Sequence, residues 1–597
     1  MRGKTAWRRR PGMASCSDAT FGFIFLGQEF GGAMRVVMEY LRAAWLSHLS
    51  SLAGLAAAGL VAAGYVALAV YGGWINYSIV PYLDTYDVLP IIFGGASSLA
   101  GWFALHNEHR ILATKALLWV DYVLFQGAGV FLIVMNFVLM AFIAGGFFFF
   151  LRKAGGWGRA NLPLYILLSV LPAFSFIQKE NIVWEFQSQF FLVSLLPMAS
   201  CALLLSFLER REVRANRVFG YLLSSALLAV LSVLNMGNGI LFFGVYIVVL
   251  WAFRIIGGLG LAGCCLAALV YQLHSGTGST NVHAMLEAFS AKTAKFLFYV
   301  PSALGNFSEK TLGQTGATIM GTCLLACCIY LVFAAARAIA KNRRRKNVTV
   351  LAAALAAYVC LSVLAATVAR IDLADPFVSR YSTLSLMVFV MCLVGVLSCL
   401  ESDRARRTLL AGAALVSLGL LGPWQLTVLQ DMRPMDRLVA GLCYAYGIDD
   451  AEMRGIPHFN ASKLEVAVAL MKREKTGFVA AHPYALAEIS TEAWTVPPGF
   501  VQIAGRIDAV KPVGSQGRYA FVTGWALEYK RKRVPPYVYI ADGEKRVVGF
   551  AVVGAWRQEL ASPLGREAEL SGLAGYVQRT ALTKTDNLQF YCPAAGL

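Results

Sequence analysis

Residues 51–73 read SLAGLAAAGLVAAGYVALAVYGG, and a short step beyond, residues 81–87 read PYLDTYD. The first run carries no charge and is long enough to cross the hydrocarbon core of a bilayer as one helix, which takes roughly 20 residues. It exceeds the core of a signal peptide, and no cleavage signal follows it, so it reads as a retained signal-anchor helix. The second run places two carboxylates, Asp84 and Asp87, just past the end of that helix. Carboxylates beside a membrane are costly to desolvate and tend to be kept for a task.

The rest of the chain extends this pattern. Of 597 residues, 58% are hydrophobic and only 14% are charged, against about 25% charged in soluble domains. The class is therefore a polytopic α-helical membrane protein. Its net charge of +18, from 52 Lys and Arg against 34 Asp and Glu, is scattered between apolar runs. That suits loops and anionic membrane lipids and argues against nucleic acid as a partner. Most of the 12 cysteines lie inside apolar runs, where they act as small hydrophobes. Cys443 and Cys592 lie in the polar C-terminal part and are candidates for a disulfide.

Apolar runs predict about eleven transmembrane helices, near 51–73, 128–151, 162–177, 186–208, 218–234, 239–253, 256–273, 316–338, 348–369, 382–400 and 408–425. With this map, Arg152, Lys153 and Arg159, the Arg210–Arg217 group, the Arg337–Lys346 group and Arg404, Arg406 and Arg407 all fall on one side with the basic N-terminus, 1–50. By the positive-inside rule that side is cytoplasmic.

The opposite side gathers polar chemistry from separate loops. The first external loop, 74–127, carries Asp84, Asp87 and the run His106-Asn107-Glu108-His109-Arg110; its 88–127 part suits two helices lying along the interface. A short loop carries Lys179, Glu180 and Asn181. Another carries Arg370, Asp372, Arg380 and Tyr381. Asn235 and Asn238 read as turn formers. A structural bundle has no need to collect carboxylates, amides and cations on one face. Asp84 or Asp87 can serve as a general base with a raised pKa, can hold a divalent cation (Mg or Mn) that bridges a phosphate, or can simply cap a helix or pair with Arg110. Arg110 and the histidines suit phosphate or hydroxyl recognition, and Lys179, Arg370 and Arg380 suit a phosphate near the bilayer.

After the last span, 426–496 reads as a helical extracytoplasmic linker. Beyond Pro497-Pro498, residues 497–597 hold short runs rich in β-branched and aromatic residues between Gly, Pro and Asp-Gly turns. They predict a small extracytoplasmic β-sandwich-like domain that caps the membrane part or binds a partner or carbohydrate, with Trp525 and Trp556 as candidate stacking residues.

One span, a large external loop with an acidic motif at its start, many further spans and an extracytoplasmic C-terminal domain resemble the C superfamily of membrane glycosyltransferases. The segments Tyr82-Leu-Asp-Thr-Tyr-Asp87, His106-Asn-Glu-His-Arg110 and Glu180-Asn-Ile-Val-Trp184 are similar to those of bacterial membrane proteins of this layout. The resemblance covers roughly 50–425. It implies a polyprenyl-phosphate-sugar donor, a glycan or lipid acceptor outside the bacterial inner membrane, and Asp84 or Asp87 as the acid that deprotonates the acceptor or binds a metal. It also implies that Arg370, Arg380 or Lys179 holds the donor phosphate. The acids here are spaced Asp-x-x-Asp, where many members carry an adjacent pair. The alternatives are a transporter or flippase of a lipid-linked saccharide and a non-catalytic envelope assembly protein.

Overall fold

The computed structural model describes residues 52–93, 99–107, 109–156, 158–211, 215–255, 260, 263, 293–341, 346–370, 375–458, 460–485, 494–514 and 517–594. The chain divides into two compact units, Met1–Leu60 and Val61–Leu597. Of the first, only the beginning of a helix, from Leu52, is described. The packing below belongs to the second.

The helices follow the apolar runs. Helix α1 (Leu52–Ile75) leads into three short helices, α2 (Thr85–Phe93), α3 (Leu99–Phe103) and α4 (Leu112–Leu124). The bundle continues with α5 (Val130–Gly155), α6 (Leu162–Ala173), the short α7 (Lys179–Val183), α8 (Ser188–Arg210), α9 (Ala215–Asn235) and α10 (Gly239–Ala252). After a stretch outside the described residues come α11 (Thr293–Gly305), α12 (Glu309–Ala340), α13 (Asn347–Arg370), α14 (Ser382–Cys399) and α15 (Asp403–Leu426). Among the described residues, nine helical stretches are long and apolar enough to cross a membrane, which makes this a multi-pass helical protein. Two of the eleven expected spans do not join them. Helix α10, at 14 residues, is about 21 Å long, short of a 30 Å core. The expected span 256–273 lies almost wholly outside the described residues.

Small side chains let the helices approach closely. A Cβ on Gly321 would lie 1.7 Å from Pro301 O, and one on Gly305 would lie 1.9 Å from Ala317 O, so α11 and α12 touch backbone to backbone. Polar groups inside the bundle find partners, as a medium without water requires. Gln425 is one such clasp: its Oε1 accepts from Phe176 N at 2.9 Å, and its Nε2 donates to Tyr65 O at 2.8 Å. Tyr65 OH in turn donates to Leu421 O at 2.9 Å.

The region after α15 is no loose linker. Helices α16 (Met435–Tyr446), α17 (Ala451–Arg454) and α18 (Ala461–Glu474) share a second hydrophobic core with α2, α4 and the C-terminal strands, built on Val80, Tyr86, Leu118, Leu442, Leu464 and Tyr576. Tyr446 stacks on Phe550 with ring centroids 3.7 Å apart.

Six strands, β1 (Phe500–Pro512), β2 (Tyr519–Leu527), β3 (Tyr537–Ala541), β4 (Val547–Ala555), β5 (Gly572–Gln578) and β6 (Gln589–Pro593), form a closed barrel in the order β1-β2-β5-β4-β3-β6. This replaces the expected sandwich, and the length of β1 is the reason. Its first residues, Phe500–Ile503, pair with β6, while Ala504–Pro512 pair with β2 across an irregularity at Ile507/Ala509. One bent strand serving two partners joins the edges that a sandwich would leave open. Val522, Ile540, Ala551, Val553, Leu573 and Phe590 form the apolar core of the barrel. Cys443 and Cys592, the candidates for a disulfide, are both free thiols. Cys443 Sγ instead lies 2.8 Å from Tyr576 OH, which donates to Asp450 at 2.9 Å.

Candidate functional site

The acidic segment is held from several sides. Asn76 Nδ2 at the end of α1 donates to Gly72 O at 2.9 Å and to Asp431 Oδ2 at 2.8 Å. Tyr82 N–H donates to Glu185 Oε1 at 3.0 Å, and Trp184 Nε1 donates to Tyr82 O at 3.0 Å. Leu83, at φ +44°, donates its N–H to Pro457 O at 2.7 Å. Positive φ is unusual for a branched side chain, and here hydrogen bonds on both flanks hold it. The result fixes Asp84 and Asp87 at the start of α2.

The two acids have different surroundings. Asp87 is mostly buried, with its side chain 14% exposed; it lies 3.4 Å from His458 Nε2 and 3.0 Å from Lys463 Nζ. Asp84 is 37% exposed and faces His106 Nε2 at 3.8 Å. Burial pushes the Asp84 carboxyl up, but His106, His458 and Arg380 together overcome it and hold the group below its ordinary range. The raised pKa expected for a first-loop acid is thus not what this site produces at Asp84. Too many cations face it.

His106 reaches Asp84 because the chain reverses tightly. His106 N donates to His109 O at 2.7 Å, and His109 N donates to His106 O at 2.9 Å. Asn107, between them, has φ +51°, a conformation asparagine adopts more readily than most residues. Glu108 lies outside the described residues. The His106 ring packs edge-on against Phe186 at 5.3 Å. His109 Nδ1 accepts from Gly237 N at 3.1 Å, and Ile111 N donates to Asn235 O at 2.9 Å, so the turn is sewn to the α9–α10 junction.

Arg110 is only 8% exposed and donates to Phe103 O. Lys115, fully buried, donates to Trp102 O at 3.1 Å and Ala104 O at 2.7 Å. Two cations thereby take three successive carbonyls at the end of α3, where a helix leaves acceptors unpaired.

The later loops divide in the same way. Lys179 Nζ is 2.6 Å from Asp431 Oδ1. Asn181, fully buried, donates to Arg380 O at 3.0 Å and Thr383 Oγ1 at 2.9 Å, and Glu180 N donates to Ser379 Oγ at 3.2 Å. The 179–181 turn therefore positions the Ser379–Tyr381 turn. Arg380 acts electrostatically on both Asp84 and Glu180, which brings it into the acidic site. For Arg370 only the backbone, at the end of α13, is described, and Asp372 lies outside the described residues.

An apolar groove of about 280 Å³ is lined by Phe190, Val193, Leu241, Tyr299, Ala366 and Leu384 among others. Its polar end is His109, Asn238 and Tyr381. Tyr381 OH and Asn238 Oδ1 are buried there without a hydrogen-bond partner among the described residues. The groove and the acids are linked through neighbouring residues: the charge of Arg380 acts on Asp84 while Tyr381 lines the groove, and His106 faces Asp84 while His109 lines the groove.

Asp84, Asp87 and His106 offer ligand atoms that all lie within 4.8 Å of one another. Two carboxylates and an imidazole suit Mn or, less well, Mg. Such an ion would share these oxygens with Lys463, His458 and Arg380.

His458 and Lys463 were not among the residues singled out from the sequence. They sit in the segment read as a linker, and no local spacing ties them to Asp87. Trp184, at the end of the Glu180–Trp184 segment, and Glu185 after it brace Tyr82. No protein-family model matches the chain, and no curated protein matches it.

Proposed function

We propose that the chain is a membrane glycosyltransferase of the C-superfamily layout, moving a sugar from a polyprenyl-phosphate donor to a glycan or lipid acceptor outside the bacterial inner membrane. One observation carries this reading. An apolar groove is lined by Tyr381, next in the chain to Arg380, a cation whose charge acts on Asp84. A lipid phosphate has this composition: an apolar tail, an anion, and a bond to be broken beside it. The basic loops on the far side of the bundle support the orientation with Asp84 outside.

In the proposed reaction the isoprenoid lies in the groove, with its phosphate near Tyr381 OH, Asn238 and Arg380. The acceptor hydroxyl attacks the anomeric carbon from the side opposite the phosphate. A carbon–oxygen bond forms as the sugar–phosphate bond breaks, and the phosphate leaves with the electron pair beside Arg380. The hydroxyl proton passes to Asp84. Asp84 suits this role better than Asp87, because Asp87 is already engaged by Lys463 and His458. Asp84 is the more exposed of the two. A divalent cation, when held by Asp84, Asp87 and His106, would add charge neutralisation at the phosphate.

The test is transfer from polyprenyl-phosphate sugars by the purified protein in lipid nanodiscs, with products read by mass spectrometry. Asp84→Asn is expected to abolish transfer while the protein still folds. Full activity in both Asp84→Asn and Asp87→Asn would overturn the mechanism.

A further inference from the structure

We infer that the mouth of the C-terminal barrel is a binding site for a neutral oligosaccharide chain, separate from the site at Asp84. The argument does not rest on the transferase reading. The turn after β3, the starts of β2, β4 and β6 and the end of β5 all come to one end of the barrel. A cleft of about 620 Å³ lies across that end. The interior of the barrel is filled by its own side chains, so the cleft sits over the mouth, a common place for ligands in barrel folds. Its volume falls within the roughly 300–1000 Å³ of a ligand site, room for a short run of sugar units.

Its lining selects the ligand class. Asp542, Glu544 and Arg546 come from the β3–β4 turn, Gln578 from the end of β5, Asn587 from the approach to β6, and Trp494 from the segment before β1. Carboxylates, a guanidinium and amides are the groups that hydrogen-bond vicinal hydroxyls. The indole of Trp494, packed edge-on to Tyr539 at 4.9 Å, offers an apolar plane of the kind a sugar ring stacks on. The charges balance: with Arg518, two guanidinium groups face two carboxylates. Asp542 and Arg546 are already paired at 2.8 Å. A balanced, pre-paired lining favours an uncharged polyhydroxyl chain over a phosphate or a metal ion, each of which needs an excess of one sign. Trp525 and Trp556, the aromatics singled out from the sequence, do not line this cleft.

The test uses the full chain in nanodiscs, without donor lipid, against neutral linear hexasaccharides of gluco, manno, galacto and xylo configuration. Binding is followed by saturation-transfer NMR and by titration. At least one is expected to bind, with affinity falling by roughly tenfold in Trp494→Ala, the loss of one central contact. Trp494 also packs on Tyr539, so Asn587→Ala and the exposed Glu544→Ala provide variants that leave the barrel core intact. Both are expected to weaken binding. Failure of all four saccharides to bind overturns the inference. Binding that ignores all three substitutions, or binding of inorganic phosphate or anionic glycans alone, overturns it too. Because no transfer is measured, a negative result here leaves the reading of the Asp84 site untouched.

Discussion

Lys463 Nζ lies 3.0 Å from Asp87 Oδ2, an ion pair that joins residues 376 positions apart and pins α18 to the start of α2. Through it, a helix that follows the last span becomes a wall of the acidic site. The pair is half exposed on the lysine side, so its own contribution is small, but Asp87 also faces the buried His458.

The two partners should therefore differ on removal. Lys463→Ala is expected to cost at most about 1 kcal/mol, as exposed pairs do. Asp87→Ala is expected to cost more, about 1–3 kcal/mol, because it strips a partner from a buried imidazole. Thermal unfolding of the detergent-solubilised protein ranks the two, and equal small losses would mean that Asp87 is not a structural anchor.

His106 sets the acid limit of activity. Asp84 is held below its ordinary 3.8, so its charge persists as pH falls and is lost only in strong acid. The accompanying stabilisation is present above pH 3.8 and disappears below it. His106→Ala removes the hydrogen-bonding partner that lowers Asp84 most and leaves burial opposed only by His458 and Arg380. The Asp84 pKa then rises, and the acid limb of the transfer-rate profile moves toward neutrality while the rate near pH 8 is largely kept. A uniform loss at every pH would instead indicate collapse of the His106–His109 turn.

Much of this was legible in the sequence, for identifiable reasons. Spans show because a bilayer demands about 20 apolar residues in a row, a purely local requirement. Asp84, Asp87 and His106 show because charge stands out beside a span, and the structure brings these three together. His458 and Lys463 do not show, since a contact across the whole chain leaves no local pattern. Arg110 also donates to Phe103 O at the end of α3, a contact with no local sequence signal. Four of the six strands, β1 to β4, were legible as separate runs, but β5 and β6 were not, and closure depends on β1 pairing with both β2 and β6, a matter of long-range register.

The groove should be open to obstruction. Ala365 and Ala366 line it from α13. Ala366→Trp is expected to lower kcat/KM for long-chain polyprenyl donors by about tenfold or more, and to spare short-chain water-soluble donors. Equal loss with both donors would place the lipid elsewhere.

Lys115 should leave a signature in alkaline solution. Burial, aided by the charge of Arg110, lowers its pKa from 10.5 to about 8. As pH rises past 8 the native chain sheds this proton while the unfolded chain keeps it, so Lys115 makes stability increase between about 8 and 10.5. Lys115→Met removes that increase, read as the difference between the unfolding temperatures of the two proteins across the window. It also leaves Trp102 O and Ala104 O without their donor, so the variant is less stable at neutral pH.

Gly321 tests the close packing of α11 on α12. A Cβ there would fall 1.7 Å from Pro301 O, and backbone cannot move aside as a side chain would. Even Gly321→Ala must push the helices apart, and Gly321→Leu more so. A loss of about 1–3 kcal/mol is expected for the alanine variant and a larger one for leucine. Gly412, by contrast, has nothing within 4 Å of an added Cβ, so Gly412→Ala on α15 should be neutral or slightly stabilising. Comparable losses at both positions, measured by thermal unfolding in the same detergent, would show that the α11–α12 contact is looser than the geometry describes.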